Sequence, residues 1–197
     1  MDMSRTTFGG GFNRRMQHTK DCASSGSVAD ETATALAALE ALRERIPVSA
    51  QDIRLGLANV ELAARFQVLR GKPQIILDVA HNPHAARSLA DGLSEMGYHE
   101  NTFAVFAMLG DKDIGGVVDA LRGRIDRWFV AAAVAERAAP ASQVAEILAE
   151  RGLGAVTRSF ATVPAALEAA RRAAGPNDRI VVFGSFHTVA EALRPAR

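Results

Sequence analysis

From Gln74 onward, short unbroken apolar runs alternate with stretches whose apolar residues recur at helical spacing. Gln74, Ile75, Ile76, Leu77 and Val79 form a run too short for a typical helix, which suits a strand covered on both faces of a parallel sheet. Behind it, Asn82 can cap a helix and Pro83 supplies the backbone angle favoured at the first helical position. Ala86, Leu89, Ala90, Leu93 and Met96 then mark an inner face, with Arg87, Asp91 and Glu95 outward and Gly97 as a stop. The same rhythm predicts strands at 103–109, 128–134, 156–160 and 180–183. Between and after them it predicts helices at 114–125, 141–151 and 163–174 and last helical turns at 189–193. Upstream, Phe66 and Val68 alternate with polar neighbours as in an edge strand, and Gly71-Lys72-Pro73 makes a turn. The pattern predicts an α/β fold: an open, mostly parallel Rossmann-like sheet of about six strands flanked by helices, with right-handed crossovers.

The amino-terminal third reads differently. Residues 1–30 combine Gly9, Gly10, Gly11, Ser24, Ser25, Gly26 and Ser27 with almost no apolar periodicity, so a disordered leader is expected there. Ala35, Leu36, Leu39, Leu42 and Ile46 mark the inner face of a helix from Glu31 that ends before Pro47 and needs a partner surface. A second short helix follows, with Ser49 as cap, Asp52 three residues on, and Ile53, Leu55 and Leu57 as its apolar content. Residues 31–62 look like the end of some other domain, with a boundary near Ala63 before an α/β domain over 63–197.

Composition narrows the function classes. The chain has 197 residues, 48% hydrophobic and 23% charged, enough for one good core. A net charge of +1 gives no field that would gather nucleic acid or coat an anionic membrane. Cys22 alone excludes an internal disulfide framework and suits a reducing compartment. No apolar stretch approaches a membrane span and the start lacks a secretion signal's hydrophobic core, so a cytoplasmic location is expected.

Polar residues gather after four of the predicted strands, at the edge where open parallel sheets hold ligands. They are Asp78, His81 and Asn82; Asp111, Lys112 and Asp113; Glu136 and Arg137; and Ser185 with His187. Asp78 can accept ribose hydroxyls, help hold a metal, or only cap a turn. Lys112 can pair with a carboxylate or phosphate, or stand as a solvated loop charge. Ser185 can donate to an anion or cap a helix, and no base stands beside it in a nucleophile motif. The spacing of Asp78, His81 and His84 matches no recognised metal-ligand pattern. GGGFNR near the start lacks the GxxxxGK[ST] pattern, and no GxGxxG follows a strand.

Four stretches in order, ARFQVL (64–69), LDVAHNPHAA (77–86), MLGDKDI (108–114) and VVFGSFHTVAEAL (181–193), resemble one family. It is the carboxyl-terminal domain of folylpolyglutamate synthase/dihydrofolate synthase, in the Mur ligase superfamily, and TATALAAL (32–39) looks like that family's last central-domain helices. The resemblance implies a Mur ligase C-terminal fold and an ATP-dependent ligase that joins L-glutamate to dihydropteroate or folates through an acyl phosphate. ATP and Mg2+ are the implied cofactors, with the metal ligands and phosphate loop in preceding domains. By motif, Arg65 and Asp78 would bind ATP, His81 and Lys112 would be catalytic, and Asn82, Lys112 and Ser185 would meet substrate. No metal ligand, nucleic acid or membrane is implied here. A chain without the phosphate loop would be a truncated or fragmentary ligase, inactive alone, or a non-catalytic nucleotide-binding or interaction module. The intact enzyme is expected as a monomer, with self-association open to the fragment. Ala64 stands where the family usually has Gly, and Glu31 where it has a nucleotide-contacting asparagine.

Overall fold

A computed structural model describes residues 26–59 and 63–194. Most of the leader and Cys22 lie outside the described residues, as do 60–62, just before the expected domain boundary. Among the described residues seven helices and six strands follow in order. They are α1 Gly26–Ala41, α2 Ala50–Asn59, β1 Gln67–Leu69, β2 Gln74–Leu77, α3 Pro83–Glu95, β3 Thr102–Phe106, α4 Ile114–Leu121 and β4 Arg127–Ala131. After these come α5 Ala141–Glu150, a 3-10 turn at Gly154–Val156, β5 Thr157–Phe160, α6 Val163–Ala173, β6 Arg179–Phe183 and α7 Phe186–Ala192.

The strands form one six-stranded sheet in the order β1-β2-β6-β3-β4-β5. All neighbours are parallel except the edge hairpin, where Gln67, Val68 and Leu69 pair antiparallel with Leu77, Ile76 and Ile75. Because successive side chains of a strand point to opposite faces, each central strand feeds two cores. Ile76, Ala104, Phe106, Trp128, Val130, Val181 and Phe183 meet α3, α4 and α5 on one face. Leu77, Phe103, Val105, Phe129, Ala131, Ile180 and Val182 meet α6 and α7 on the other. The mostly parallel sheet flanked by helices is therefore as the apolar pattern predicts.

Several boundaries differ, each for a physical reason. The strand predicted at 103–109 pairs only to Phe106, and beyond it Leu109 makes one isolated bridge to Ala138. The strand predicted at 128–134 ends at Ala131, where the loop turns to meet that bridge. The helix predicted at 114–125 stops at Leu121, ahead of Gly123 with its left-handed φ of 80°. At the amino end α1 begins at Gly26 rather than Glu31: the glycine and serine that suggested a leader enter the alanine-rich helix. Its regular part stops at Ala41, with Ile46 N–H still bonded to the Leu42 carbonyl (2.8 Å) before Pro47. Most of the residues predicted as its inner face stay open, Leu36 at 37% and Ile46 at 51% exposed, while Leu39 is half-buried. In contrast, the cap of α2 forms as predicted, with Ser49 and Asp52 exchanging backbone-to-side-chain bonds of 3.1 Å each way.

At the opposite, amino edge a polar knot joins the strand starts. Asp178 accepts from the Asn101 backbone and side chain and from Gly175, while Arg179 reaches Thr102 and the Leu93 carbonyl. Burial pushes the Asp178 carboxyl up, but the bonds from Gly175 and Asn101 outweigh it and hold it below the usual carboxylate range.

Candidate functional site

Helices α3 and α4 leave β2 and β3 on one face, whereas α7 leaves the strand between them, β6, on the other. Such a divergence opens crevices at the carboxyl ends of the strands. The loops carrying Asp78, Ser185 and Lys112 follow β2, β6 and β3 respectively, so the topology sets them side by side.

Asp78 is the anchor. Only 9% exposed, it accepts the Phe66 N–H on one oxygen (2.8 Å) and the Ala80 N–H on the other (2.7 Å). Burial pushes its carboxyl above the usual range, against the pull of those two bonds and of the Arg65 and His81 charges nearby. The segment it grips has an unusual backbone: Ala64 and Phe66 both lie in the left-handed region, at φ 60° and 44°. Two devices hold it there. The Gln67 side chain accepts from Ala64 N–H (3.0 Å), and the buried Phe66 ring occupies the space that a Cβ on Gly92 would need, 2.6 Å away. Arg65, between them, is half-buried beside Asp78.

His81 is half-buried, and its Nδ1 lies 2.8 Å from the Val79 carbonyl. A carbonyl only accepts, so Nδ1 carries the proton and Nε2 keeps its lone pair in the neutral ring. Asn82 caps α3 through its side-chain oxygen, bonded to Ala85 N–H at 2.9 Å, as its place before Pro83 predicts. Pro83 abuts α4, where a Cβ on Gly116 would lie 2.7 Å from its ring, so the starts of α3 and α4 touch.

Lys112 sits exposed in the turn before α4, whose cap is Asp113, and its ammonium has no ion pair among the described residues. The adjoining Asp111 pairs with Arg137 from the loop after β4, and the Gly110 N–H reaches the Arg137 carbonyl at 2.8 Å. Ser185 is buried. Its hydroxyl accepts the Thr188 N–H (3.1 Å) and lies 2.7 Å from the Thr188 hydroxyl, which in turn donates to the Ala107 carbonyl (2.7 Å). With the Thr188 proton spent on Ala107, the Ser185 proton goes to Thr188, so Ser185 is a helix cap whose proton is committed within the chain. Gly184 makes this possible: at φ 116° its missing Cβ would stand 2.2 Å from the Ala107 oxygen.

Arg65, Asp78 and His81 thus form one group, Asn82 borders it as a cap, and Lys112 and Ser185 stand on the adjacent strand ends. The sequence reading missed Thr188 and Glu191. Thr188 was legible as a polar residue three positions after a capping serine; the buried Glu191, which accepts the Val134 N–H from the loop after β4, carried no local signal. Among the described residues no group of three or more His, Cys, Asp or Glu could hold a metal ion. No helix of the described residues is long and apolar enough to cross a membrane.

An open sheet with its polar strand ends fixed in this way has a known counterpart: the chain belongs to the Mur ligase family, whose glutamate ligase domain matches residues 64–186. It is similar to the Escherichia coli dihydrofolate synthase/folylpolyglutamate synthase, 42% identical over 161 residues that cover 82% of this chain and 36% of the relative. A structure of E. coli FolC in complex with DHPP and ADP superposes at a TM-score of 0.75, with 41% identity over 82% of this chain and 37% of that one. A Mycobacterium tuberculosis folylpolyglutamate synthase complexed with ADP and AMPPCP gives 0.79, with 28% identity over 88% and 41%. The chain therefore spans little more than a third of the length of the relatives it matches.

Proposed function

We propose that this chain is the carboxyl-terminal lobe of an ATP-dependent ligase that adds L-glutamate to dihydropteroate or folates. The observation that carries the reading is the buried Asp78 carboxylate at the end of β2, which gathers the Arg65 segment and His81 at the crevice edge. Relatives solved with ADP, with DHPP, and with Mn, AMPPNP and L-glutamate support the choice of ligands.

In the reaction a substrate carboxylate oxygen attacks the γ-phosphorus of ATP and ADP leaves. The glutamate ammonium loses one proton to free its lone pair, the amine nitrogen attacks the acyl carbon, phosphate departs, and the nitrogen gives up a second proton to leave the amide N–H. Arg65 offers a planar fork to phosphate oxygens. Asp78 spends one lone pair of each oxygen on the backbone and keeps the others for ribose hydroxyls. His81, with Nδ1 tied to Val79, presents Nε2 as the acceptor for a proton from the amine. Lys112 pairs with a glutamate carboxylate. Asn82 and Ser185 act through the backbone they cap, and so shape the substrate pocket. Residues in the remainder of the complete enzyme would hold Mg2+, which would neutralise phosphate charge in such a transfer.

A lobe of this kind supplies half of a site that works by positioning, so it is inactive alone. Phosphate release from MgATP with dihydropteroate and L-glutamate tests this, using the chain alone and then with a separately produced phosphate-loop lobe of a relative. Activity in the mixture only supports the reading, and activity in neither refutes it. A second reading, a non-catalytic interaction module, draws on the exposed Leu36, Leu42, Ile46 and Leu55 of the helical segment. It predicts concentration-dependent self-association in sedimentation and an inactive mixture.

A further inference from the structure

Away from the carboxyl edge, the surface between α3 and the turn after α4 holds an open concavity of about 490 Å³. Ala90, Ala120, Arg87, Arg122 and Arg124 line it, with Asp91 as the only acid in the lining. The size lies within the range of small-ligand sites. Neither Arg87 nor Arg124 makes an ion pair among the described residues, and Arg122 gives one N–H to the Arg151 carbonyl at 2.9 Å. Gly123, at φ 80°, makes the sharp turn between the two loop arginines. Burial disfavours the charge of Arg179 at the adjoining strand start; Asp126 opposes this and Arg124 adds to it. Three arginines against one acid in the lining is a local excess, because the chain carries a net charge of only +1.

We propose that this concavity is a second ligand site, which takes a small anion bearing at least two phosphate or carboxylate groups, each held by the guanidinium forks of Arg87, Arg122 and Arg124. Guanidinium recognises both groups through paired N–H bonds, and one acid against three arginines leaves two positive charges for the ligand. The two loop arginines precede the first residue of β4, Arg127, at the amino edge of the sheet. The site runs from Arg87 in the first half of α3 to this turn, apart from the loops that carry Asp78 and Lys112.

The test is calorimetric titration of the full chain at low salt with two probes, pyrophosphate and citrate. Expected are saturable one-to-one binding of at least one probe with Kd below about 1 mM, weakening as salt rises, and a loss of about tenfold or more in R87Q and in R124Q. The exposed Arg158 on β5 is the control, and R158Q should bind as wild type. Preference for pyrophosphate assigns a polyphosphate ligand, and preference for citrate a polycarboxylate. Unsaturable uptake of both probes, binding unchanged in the R87Q/R124Q double variant, or equal loss in R158Q overturns the proposal. Unchanged Trp128 fluorescence in each variant shows that the fold is kept.

Discussion

Replacing Asp78 by Asn tests whether this carboxylate is the structural anchor of the carboxyl edge. The wild-type group satisfies two buried N–H donors, Phe66 at 2.8 Å and Ala80 at 2.7 Å. The amide of Asn has one oxygen for one of them and turns an NH2 toward the other. That removes one charge-assisted bond, about 1.5–3 kcal/mol, and leaves a buried N–H without a partner, about 1–3 kcal/mol. Against this stands the relief of burying a charge, which is substantial because burial is the largest influence on the Asp78 carboxyl. The net expectation is a loss of about 1–3 kcal/mol at pH 7. Urea unfolding followed by Trp128, fully buried and the sole tryptophan, reads it directly. The pH dependence has a definite sign. A folded carboxyl raised above its usual 3.8 contributes stability that is fully present below that value and lost as pH rises through the folded value. Asn cannot titrate, so its deficit relative to wild type must grow on acidification from pH 7. A variant as stable as wild type at pH 7, or a deficit independent of pH, refutes the reasoning.

At the other edge the sign reverses: Asp178, held below 3.8, contributes stability above that value and loses it as pH falls through the folded value, so the deficit of Asp178→Ala in urea titrations must shrink on acidification. Gly184→Ala forces a Cβ to within 2.2 Å of the Ala107 oxygen at a backbone angle suited to glycine, and should cost about 3 kcal/mol; an unchanged urea midpoint contradicts the turn geometry. Ala64→Val puts a β-branched residue at φ 60° and should lose about 2 kcal/mol in the same assay. Ala64→Gly should stay within about 1 kcal/mol of wild type, because relief of the left-handed backbone offsets a lost methyl and a freer unfolded chain. Lys112→Ala, at an exposed turn, should keep wild-type unfolding yet raise the KM for L-glutamate about tenfold in the reconstituted mixture; an unchanged KM excludes Lys112 from the glutamate pocket.

The elements legible in the sequence are those whose signal is local. The apolar run 74–79 and the Asn82-Pro83 start of α3 announce themselves within a dozen residues, and both stand where they were expected. The insertion of β6 between β2 and β3 is different, since it depends on pairings such as Ile76 with Val181 across a hundred residues, which no local period encodes. The same holds for Ser185. Its residue type suggests a donor or a cap, and only its distance to Thr188, together with that of the Thr188 hydroxyl to Ala107, shows that its proton is already committed. The departure at Ala64 was visible as a letter but not as a conformation. A backbone at φ 60° gives it meaning, because a glycine adopts that angle without cost.

These contacts divide the carboxyl edge into two kinds of residue that mutation can separate. Asp78, Thr188, Ser185 and Glu191 are buried and spend their polar atoms on the chain: Phe66 and Ala80, Ala107, Thr188, and Val134. Each ties a different strand-end loop down, so the loops after β2, β3, β4 and β6 are fixed before any ligand arrives. Arg65, His81 and Lys112 are more exposed and stand on the backbone that the first group holds. Positioning catalysis needs that division, because a group that must meet a substrate gains from a mount that does not move when the substrate is absent. Changes in the buried set should therefore lower stability and any site function together, whereas changes at Lys112 should touch function alone. Asp78 belongs to both sets, so its stability cost must be measured before any loss of nucleotide affinity at that position is ascribed to the ribose.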